Sequence, residues 1–156
     1  MGLDNGVIIK RVRKDKVKEI PNFVKYDVLN SYTYDFFSDM PKIDKDYVDI
    51  DIAYFRKCWG IRQAIIEKFH LDPNDASFIL DKEDVSALIK VLIPFLSKEY
   101  WDEYADSIWE FEEYAEKIIQ IIINLKWLET YIDNHNDVVK FYDSYYNILE
   151  SEMIIC

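Results

Sequence analysis

The chain has 156 residues, of which half are hydrophobic, and a formal net charge of −11. This length and apolar content suit one folded domain with a core, and they exclude a disordered chain. Three glycines and four prolines are too few for the turns of an all-β fold, and so acidic a chain would repel the phosphates of DNA or RNA.

The charge is distributed unevenly along the chain. Residues 1–30 contain seven basic and four acidic side chains, whereas the remainder contains twelve basic and twenty-six acidic ones. Residues 10–18 hold six basic side chains, and residues 97–116 hold eight carboxylates, one lysine and six aromatic residues. A surface of carboxylates interleaved with aromatic rings is suited to binding a basic partner.

The first fifty residues are predicted to form a short strand followed by an irregular, aromatic-rich segment. β-Branched residues cluster in residues 6–13, which favours a strand there. Pro21 and Pro41 interrupt residues 19–49, which read as a long irregular connection. Its aromatic side chains are expected to hold it against the core: Tyr32, Tyr34, Phe36 and Phe37.

Residues 51–134 are predicted to form a helical core. A first helix would begin at Asp49 or Asp51, end at His70 and be followed by Pro73, which cannot continue it. Its apolar stripe would consist of Ile52, Phe55, Trp59, Ile66 and Phe69. Asp81 is a predicted N-cap for a second helix that runs to Pro94, and Ser97 for a short third helix over residues 98–106.

The longest predicted helix covers residues 110–134. Apolar residues at positions 114, 118, 121, 125, 128 and 132 fall on one helical face. Ile119, Ile122 and Ile123 extend the apolar surface around the helix, so we expect its neighbours to enclose it. Residues 135–156 read as a strand or a tail, with aromatic residues concentrated in 138–146.

Together these elements predict an α+β fold that is predominantly α. Residues 1–156 would form a single domain of four or five helices arranged around residues 110–134. The N-terminal strand would pair with residues 138–145.

Three stretches together carry a resemblance to a group of known sequences. They are Met1–Gly6, then Tyr54–Lys57 leading into Cys58, and residues 139–145. The chain resembles small uncharacterised phage and prophage proteins that begin Met-Gly-Leu-Asp and carry a Tyr-Trp-Arg-Lys motif. Phe55 replaces the motif's tryptophan, and Arg62 stands where those sequences have histidine. The resemblance implies a phage or mobile-element context, hence the cytoplasm of a bacterial host, and no catalytic activity.

No catalytic residue, metal ligand or cofactor is predicted. Glu67 and His70 have the spacing of a helical di-iron motif, but the second Glu-x-x-His is missing. Residues 72–83 match a calcium loop only at positions 1, 3 and 12. Cys58 and Cys156 are too few for a disulfide framework, and Cys58 is expected to be a small buried residue. No apolar run suits a membrane span, and no signal-peptide layout is present.

The acidic segment is the predicted protein-binding surface. Tyr104, Trp101 and Trp109 would serve as aromatic anchors within a charged rim. Carboxylates that repeat at a spacing of four residues slightly destabilise a helix, so a solvated face and a docking surface are both open interpretations. The charged residues of this surface are Glu99, Asp102, Glu103, Asp106, Glu110 and Glu113.

A second candidate surface is basic. The first predicted helix contains Arg56, whose side chain would share a face with Gln63 and with Gly60, which leaves room for a closely approaching group. With Lys57 and Asp4, and with Arg62 and the basic residues 10–18 nearby, it would hold a nucleotide or another small anionic ligand. Alternatively, Arg56 forms an internal ion pair, for which Asp4 is a natural partner.

We therefore expect a non-enzymatic accessory protein of a phage or mobile element. Its acidic, nucleic-acid-mimicking face would bind and inhibit a basic host or defence protein, as anti-CRISPR and related anti-defence inhibitors do as a class. Small-ligand binding at the Arg56 surface is the alternative.

Overall fold

Five strands and four α-helices make up the described part of the chain, which in this computed structural model is residues 4–35, 37, 39–135 and 137–143. The strands are β1 (Asp4–Arg13), β2 (Asp27–Asp35), β3 (Met40–Arg56), β4 (Phe78–Ile79) and β5 (Val138–Asp143). The helices are α1 (Trp59–Phe69), α2 (Lys82–Leu92), α3 (Lys98–Tyr104) and α4 (Phe111–Asn134), with 3-10 turns at Lys14–Glu19 and Ile93–Leu96.

The strands form one antiparallel sheet in the spatial order β2–β3–β1–β5–β4. The fold is therefore α+β with a substantial sheet, and the prediction of a predominantly α fold is wrong. The predicted pairing of the N-terminal strand with residues 138–145 is confirmed for residues 138–143, which form β5 beside β1. Met1–Leu3, Phe36 and residues 144–156, including Cys156, lie outside the described residues.

The largest correction concerns residues 40–56, which form β3 and not the start of a helix. Val48, Ile50 and Ile52 alternate with Asp49 and Asp51, and this period of two is that of a strand with one apolar face. The helix α1 begins only at Trp59, and it ends at His70, whose φ of 55° closes the helix in the left-handed conformation.

Residues 19–49 are also more regular than predicted. Most of this segment belongs to a hairpin in which β2 pairs with β3, from Asp27 opposite Asp51 to Asp35 opposite Met40. Much of this hairpin is exposed, including Val28, Leu29 and Ile43. The burial pattern that identifies a strand is therefore weak here, although β-branched and aromatic residues are frequent.

The later helices agree with their sequence signals. The side chain of Asp81 accepts a hydrogen bond from the amide of Asp84, and the amide of Asp81 donates to the side chain of Asp84. The side chain of Ser97 caps α3 by accepting from the amide of Tyr100. The predicted core positions of α4 are buried from Tyr114 to Leu128. Ile119 and Ile123 are exposed, however, so α4 packs with one face and is not enclosed by its neighbours. None of the described helices combines the length and apolar character needed to cross a membrane.

The helices cover one face of the sheet, which we call the core face. Val7 and Ile9 of β1 pack there with Phe141 of β5 and with Leu88 of α2. The intervening residues of β1 point to the opposite side, which we call the outer face. On the outer face Gly6 lies between Tyr54 and Tyr142, its cross-strand neighbours.

A buried asparagine joins α4 to the sheet. The side chain of Asn124 accepts from the amide of Lys25 (3.1 Å) and donates to the carbonyls of Lys25 (2.7 Å) and Ile52 (2.8 Å). Gln120 donates to the same side-chain oxygen. Lys25 lies just before β2, and Ile52 lies at a bulge of β3. Asn124 thus provides the hydrogen-bond partner that a neighbouring strand would otherwise give to the backbone groups of these two residues.

We expect Asn124→Ala to lower the free energy of unfolding by about 2–4 kcal/mol, because it leaves several buried backbone groups without partners. Urea denaturation of the purified protein measures this loss. The exposed Asn74→Ala is the matched control; an equal loss in both variants would contradict the role of Asn124.

Candidate functional site

The predicted acidic surface comprises α3, the connection 105–110 and the first turns of α4. The six predicted carboxylates in this segment are all exposed. Lys98 is the single cation of residues 97–116, and its ammonium lies 2.6 Å from the carboxylate of Asp102. No other carboxylate of this segment forms an ion pair with a residue that the structure describes, so its negative charge is nearly uncompensated.

The two tryptophans do not serve as surface anchors. Trp101 is only 4% exposed, and its indole nitrogen donates to the carbonyl of Trp109. Trp109 is half-buried, stacks on Tyr114 and donates from its own indole nitrogen to the carbonyl of Arg56 (2.8 Å). Both rings therefore hold the 105–110 connection against the core. A helix of seven residues needs a large side chain to bury enough surface, and Trp101 meets that need.

A groove runs between α1 and α3 and encloses about 740 Å³. Its aromatic walls include Trp59, Tyr100 and Tyr104, and the last two rings lie 4.5 Å apart. Glu67 and Asp106 contribute carboxylates to its lining. We call these five residues the acidic groove.

The carboxylates around this groove also act on the tyrosine at its rim. Tyr104 is half exposed, and the neighbouring carboxylate of Glu103 raises the pKa of its hydroxyl. Tyr104 therefore remains a neutral phenol that can donate a hydrogen bond, while its ring offers an apolar face. Of the predicted anchors, this one alone stays available at the surface.

The groove exists because α1 and α3 approach each other at a glycine. A Cβ atom on Gly60 would lie 1.7 Å from the carbonyl oxygen of Tyr104, and the amide of Gly60 donates to the carbonyl of Ala105 (2.8 Å). Cys58 and Ser107 form a β-bridge beside this contact, and Cys58 is buried as predicted. The space left by Gly60 is therefore taken by backbone and is not open to a ligand.

The predicted basic surface is not assembled. Arg56 lies at the end of β3, so it does not share a helix face with Gln63, which lines the acidic groove and donates to Glu67. Lys57 follows with a φ of 54°. Asp4 lies opposite Arg56 in the β1–β3 register, but its carboxylate accepts from the hydroxyl of Tyr54 (2.7 Å).

Most of the other basic side chains proposed for that surface have partners within the chain. Arg62 is buried and its guanidinium donates twice to one carboxylate oxygen of Asp143, at 2.8 and 3.1 Å. In the basic segment 10–18, four side chains form ion pairs with carboxylates: Lys10, Arg11, Arg13 and Lys16. The pairs of Lys10 with Asp49 and of Arg62 with Asp143 connect β1 and α1 to other strands, and they reduce the charge left for an anionic ligand.

A second site, on the outer face of the sheet, was not predicted. The carboxyl of Asp51 accepts from the hydroxyl of Tyr142 (2.8 Å) and from the amide of Ala53 (3.2 Å). Burial, which disfavours the charged form, raises the pKa of Asp51 to about 6. The alternation around Asp49 and Asp51 carries the signal for this site, because it places both aspartates on the face opposite the core.

Metal ligands do not converge in the described residues, where no group of three or more histidine, cysteine or acidic side chains could hold an ion. His70 ends α1, and the ring of His135 stacks on that of Tyr131. In comparisons with known proteins, the chain matches no family model, no curated protein and no solved structure.

Gly60→Ala should destabilise the protein by at least about 2 kcal/mol, because the added methyl group overlaps a carbonyl that only a backbone shift can move. Thermal and urea denaturation measure the loss. Gln63→Ala, on the exposed side of the same helix, is the control. A Gly60→Ala variant as stable as this control would show that the two helices can separate without cost.

Asp51→Asn should change stability in a pH-dependent way. The folded state holds the proton of Asp51 more tightly than the unfolded chain, so the ionised carboxyl costs stability as the pH rises towards and through 6. Relative to wild type, the variant should gain about 2 kcal/mol between pH 4.5 and pH 7.5. Urea denaturation at both pH values measures the gain, with the exposed Asp106→Asn as the charge-matched control; equal pH profiles for the two variants would contradict this cost.

Proposed function

We propose that this chain is a non-enzymatic binding protein whose acidic groove and flanking carboxylates occupy a basic surface of a partner protein. The observation that carries the proposal is the uncompensated charge of residues 97–116 beside a groove with aromatic walls. Aromatic side chains supply contact area, and the surrounding carboxylates supply attraction and orientation.

Part of this charge destabilises the helices that carry it. Glu99 and Glu103 lie one turn apart on α3, as do Glu112 and Glu116 on α4, and each like-charged pair costs a few tenths of a kcal/mol. Asp106, with a φ of 44°, lies beyond the end of α3 and is not part of such a pair. A basic partner would convert these repulsions into attractions, which favours a docking surface over a merely solvated one.

The partner class follows from the same charge. A surface that presents carboxylates around aromatic rings resembles nucleic acid in sign, so the basic surface of a nucleic-acid-binding protein is its natural complement. Within the phage or mobile-element context implied by the resemblance, we propose a host or defence protein whose nucleic-acid site would be covered. Binding of this kind inhibits by occupancy and needs no catalytic residue.

A defined basic peptide tests the proposal. A fluorescent twelve-residue peptide of alternating lysine and arginine should bind the wild-type protein at 50 mM NaCl, and the affinity should fall at least tenfold at 500 mM, because salt screens exposed charges. The groove variant Glu67→Gln, Glu99→Gln, Glu103→Gln, Asp106→Asn should bind at least tenfold more weakly at low salt. Fluorescence anisotropy measures these affinities.

The matched control removes the same charge elsewhere. Asp15→Asn, Glu19→Gln, Asp46→Asn and Asp133→Asn change four exposed carboxylates outside residues 97–116. This variant should retain nearly wild-type affinity. If both quadruple variants lose affinity equally, the peptide responds to net charge and the groove is not the binding surface.

A further inference from the structure

The outer face of the sheet contains a cavity of about 460 Å³ that the proposed function does not use. Its floor is Ile8, which lies outside the core cluster and is nevertheless 92% buried. Tyr54 and Tyr142 form aromatic walls, and their ring positions are fixed around Gly6, where a Cβ atom would lie 2.8 Å from the Tyr142 hydroxyl oxygen. The cavity is therefore built by four adjacent strands of the sheet, β2, β3, β1 and β5.

The hydrogen bonds around this cavity use the hydroxyl protons of both its tyrosines. A tyrosine hydroxyl has one proton to donate. That of Tyr54 goes to Asp4 and that of Tyr142 goes to Asp51. The other lining side chains are carboxylates or apolar, so the side chains of this cavity offer a ligand aromatic faces and acceptor oxygens but no further donor.

Two of these carboxylates face each other across the β2–β3 pair. Asp27 of β2 is the direct cross-strand partner of Asp51, and like charges at such positions destabilise a sheet. Neither forms an ion pair with a residue in the described ranges, although Asp51 is only 9% exposed. A buried carboxyl beside a second carboxylate gains most from an entering cation.

A cation of the chain already lies near this site. The ammonium of Lys117 on α4 is 5.4 Å from the centre of the Tyr54 ring, in an adjoining cavity that shares Asp27, Asp51 and Tyr54. This distance is that of a cation–π contact. The neighbourhood therefore attracts positive charge, and Lys117 approaches it without pairing with Asp51.

We propose that the outer-face cavity binds an organic cation, an alkylammonium or guanidinium group, between Tyr54 and Tyr142 with Asp51 and Asp27 as its counter-charges. The cation donates to the carboxylate oxygens while its carbon chain contacts the rings and Ile8. The same chemistry is offered by a free polyamine and by a lysine or arginine side chain of another protein. The site uses no residue of the acidic groove, so it stands or fails independently of the proposed function.

Binding should depend on pH through Asp51. The groups that face this carboxyl are Asp27 from β2, Tyr142 from β5, Lys117 from α4 and, through Tyr54, Asp4 from β1. Burial raises the pKa of Asp51 to about 6, so about one molecule in ten carries the ionised carboxyl at pH 5.0, against nearly all at pH 7.5. Affinity for the cation should therefore be about tenfold lower at pH 5.0 than at pH 7.5.

The test is a titration of the full chain with spermidine and, separately, with N-acetyl-arginine amide, at pH 7.5 and pH 5.0 and constant ionic strength. Amide NMR shifts of Gly6 and Ala53 report occupancy of the cavity. We expect saturable shifts with at least one probe and about tenfold weaker binding at pH 5.0. Tighter binding of spermidine indicates a free polyamine, and equal or tighter binding of the arginine derivative indicates a protein side chain.

Two variants keep the proposal falsifiable. Asp51→Asn should lose both most of the affinity and the pH dependence, whereas Asp106→Asn in the acidic groove should lose neither. Tyr142→Phe removes a donor that favours the charged carboxyl, so it should move the midpoint of the pH dependence upwards even if Asp51→Asn fails to fold. The proposal would be overturned by the absence of saturable shifts with both probes at 10 mM, by binding that Asp51→Asn leaves unchanged, or by a pH midpoint that Tyr142→Phe does not raise.

Discussion

The structure depends on the position of β1 between β3 and β5. This strand provides buried side chains on the core face, and its two edges receive residues from the first and the last parts of the described chain. Its register on β3 fixes where Tyr54 and Asp51 lie, and its register on β5 fixes Tyr142. A Cβ atom on Gly6 would lie 1.8 Å from the carbonyl oxygen of Ala53, so only glycine fits at this position of β1.

The two candidate sites follow from the two sides of this sheet. On the core side, helices must pack closely, and the contact of Gly60 with the backbone of Tyr104 leaves a groove at their exposed edge. On the outer side no described helix covers the strands. The side chain of Ile8 is covered there by the rings of Tyr54 and Tyr142 and by the neighbouring carboxyls. Negative charge is concentrated at both sites, for different reasons: exposed carboxylates at the groove, and a buried carboxyl in the cavity.

Local signals in the sequence predicted the parts of the fold that are determined locally. The N-caps Asp81 and Ser97, the core face of α4 and the strand character of residues 6–13 all depend on residues within a few positions of one another. The predicted start of α1 was wrong because Ile52 and Phe55 fit the apolar stripe of a helix as well as one face of a strand. The alternation of apolar and acidic residues from Val48 to Ile52 favours the strand. The hairpin of β2 and β3 was missed because much of its apolar surface is exposed and gives no burial pattern.

For the site residues, the sequence predicted which charged side chains are exposed, but not how the residues are brought together. The carboxylates of residues 97–116 are on the surface as expected, whereas Trp101 is in the core because a short helix has few other groups to bury. The basic surface failed because it required Arg56 to be helical. The cavity at Asp51 depends on β1, β2, β3 and β5 meeting, and no local pattern contains that information.

The order of the strands also sets how the molecule must fold. The helices α1 to α4 form from neighbouring residues, but β1 acquires its second partner only when Asn5 meets Asp143 at the far end of the described chain. Closing a loop of that length costs entropy before the contacts between the two strands form, so we expect completion of the sheet to limit the folding rate. Until β5 arrives, one edge of β1 is an open template for other chains, and the time spent in that state governs how readily the protein aggregates during refolding.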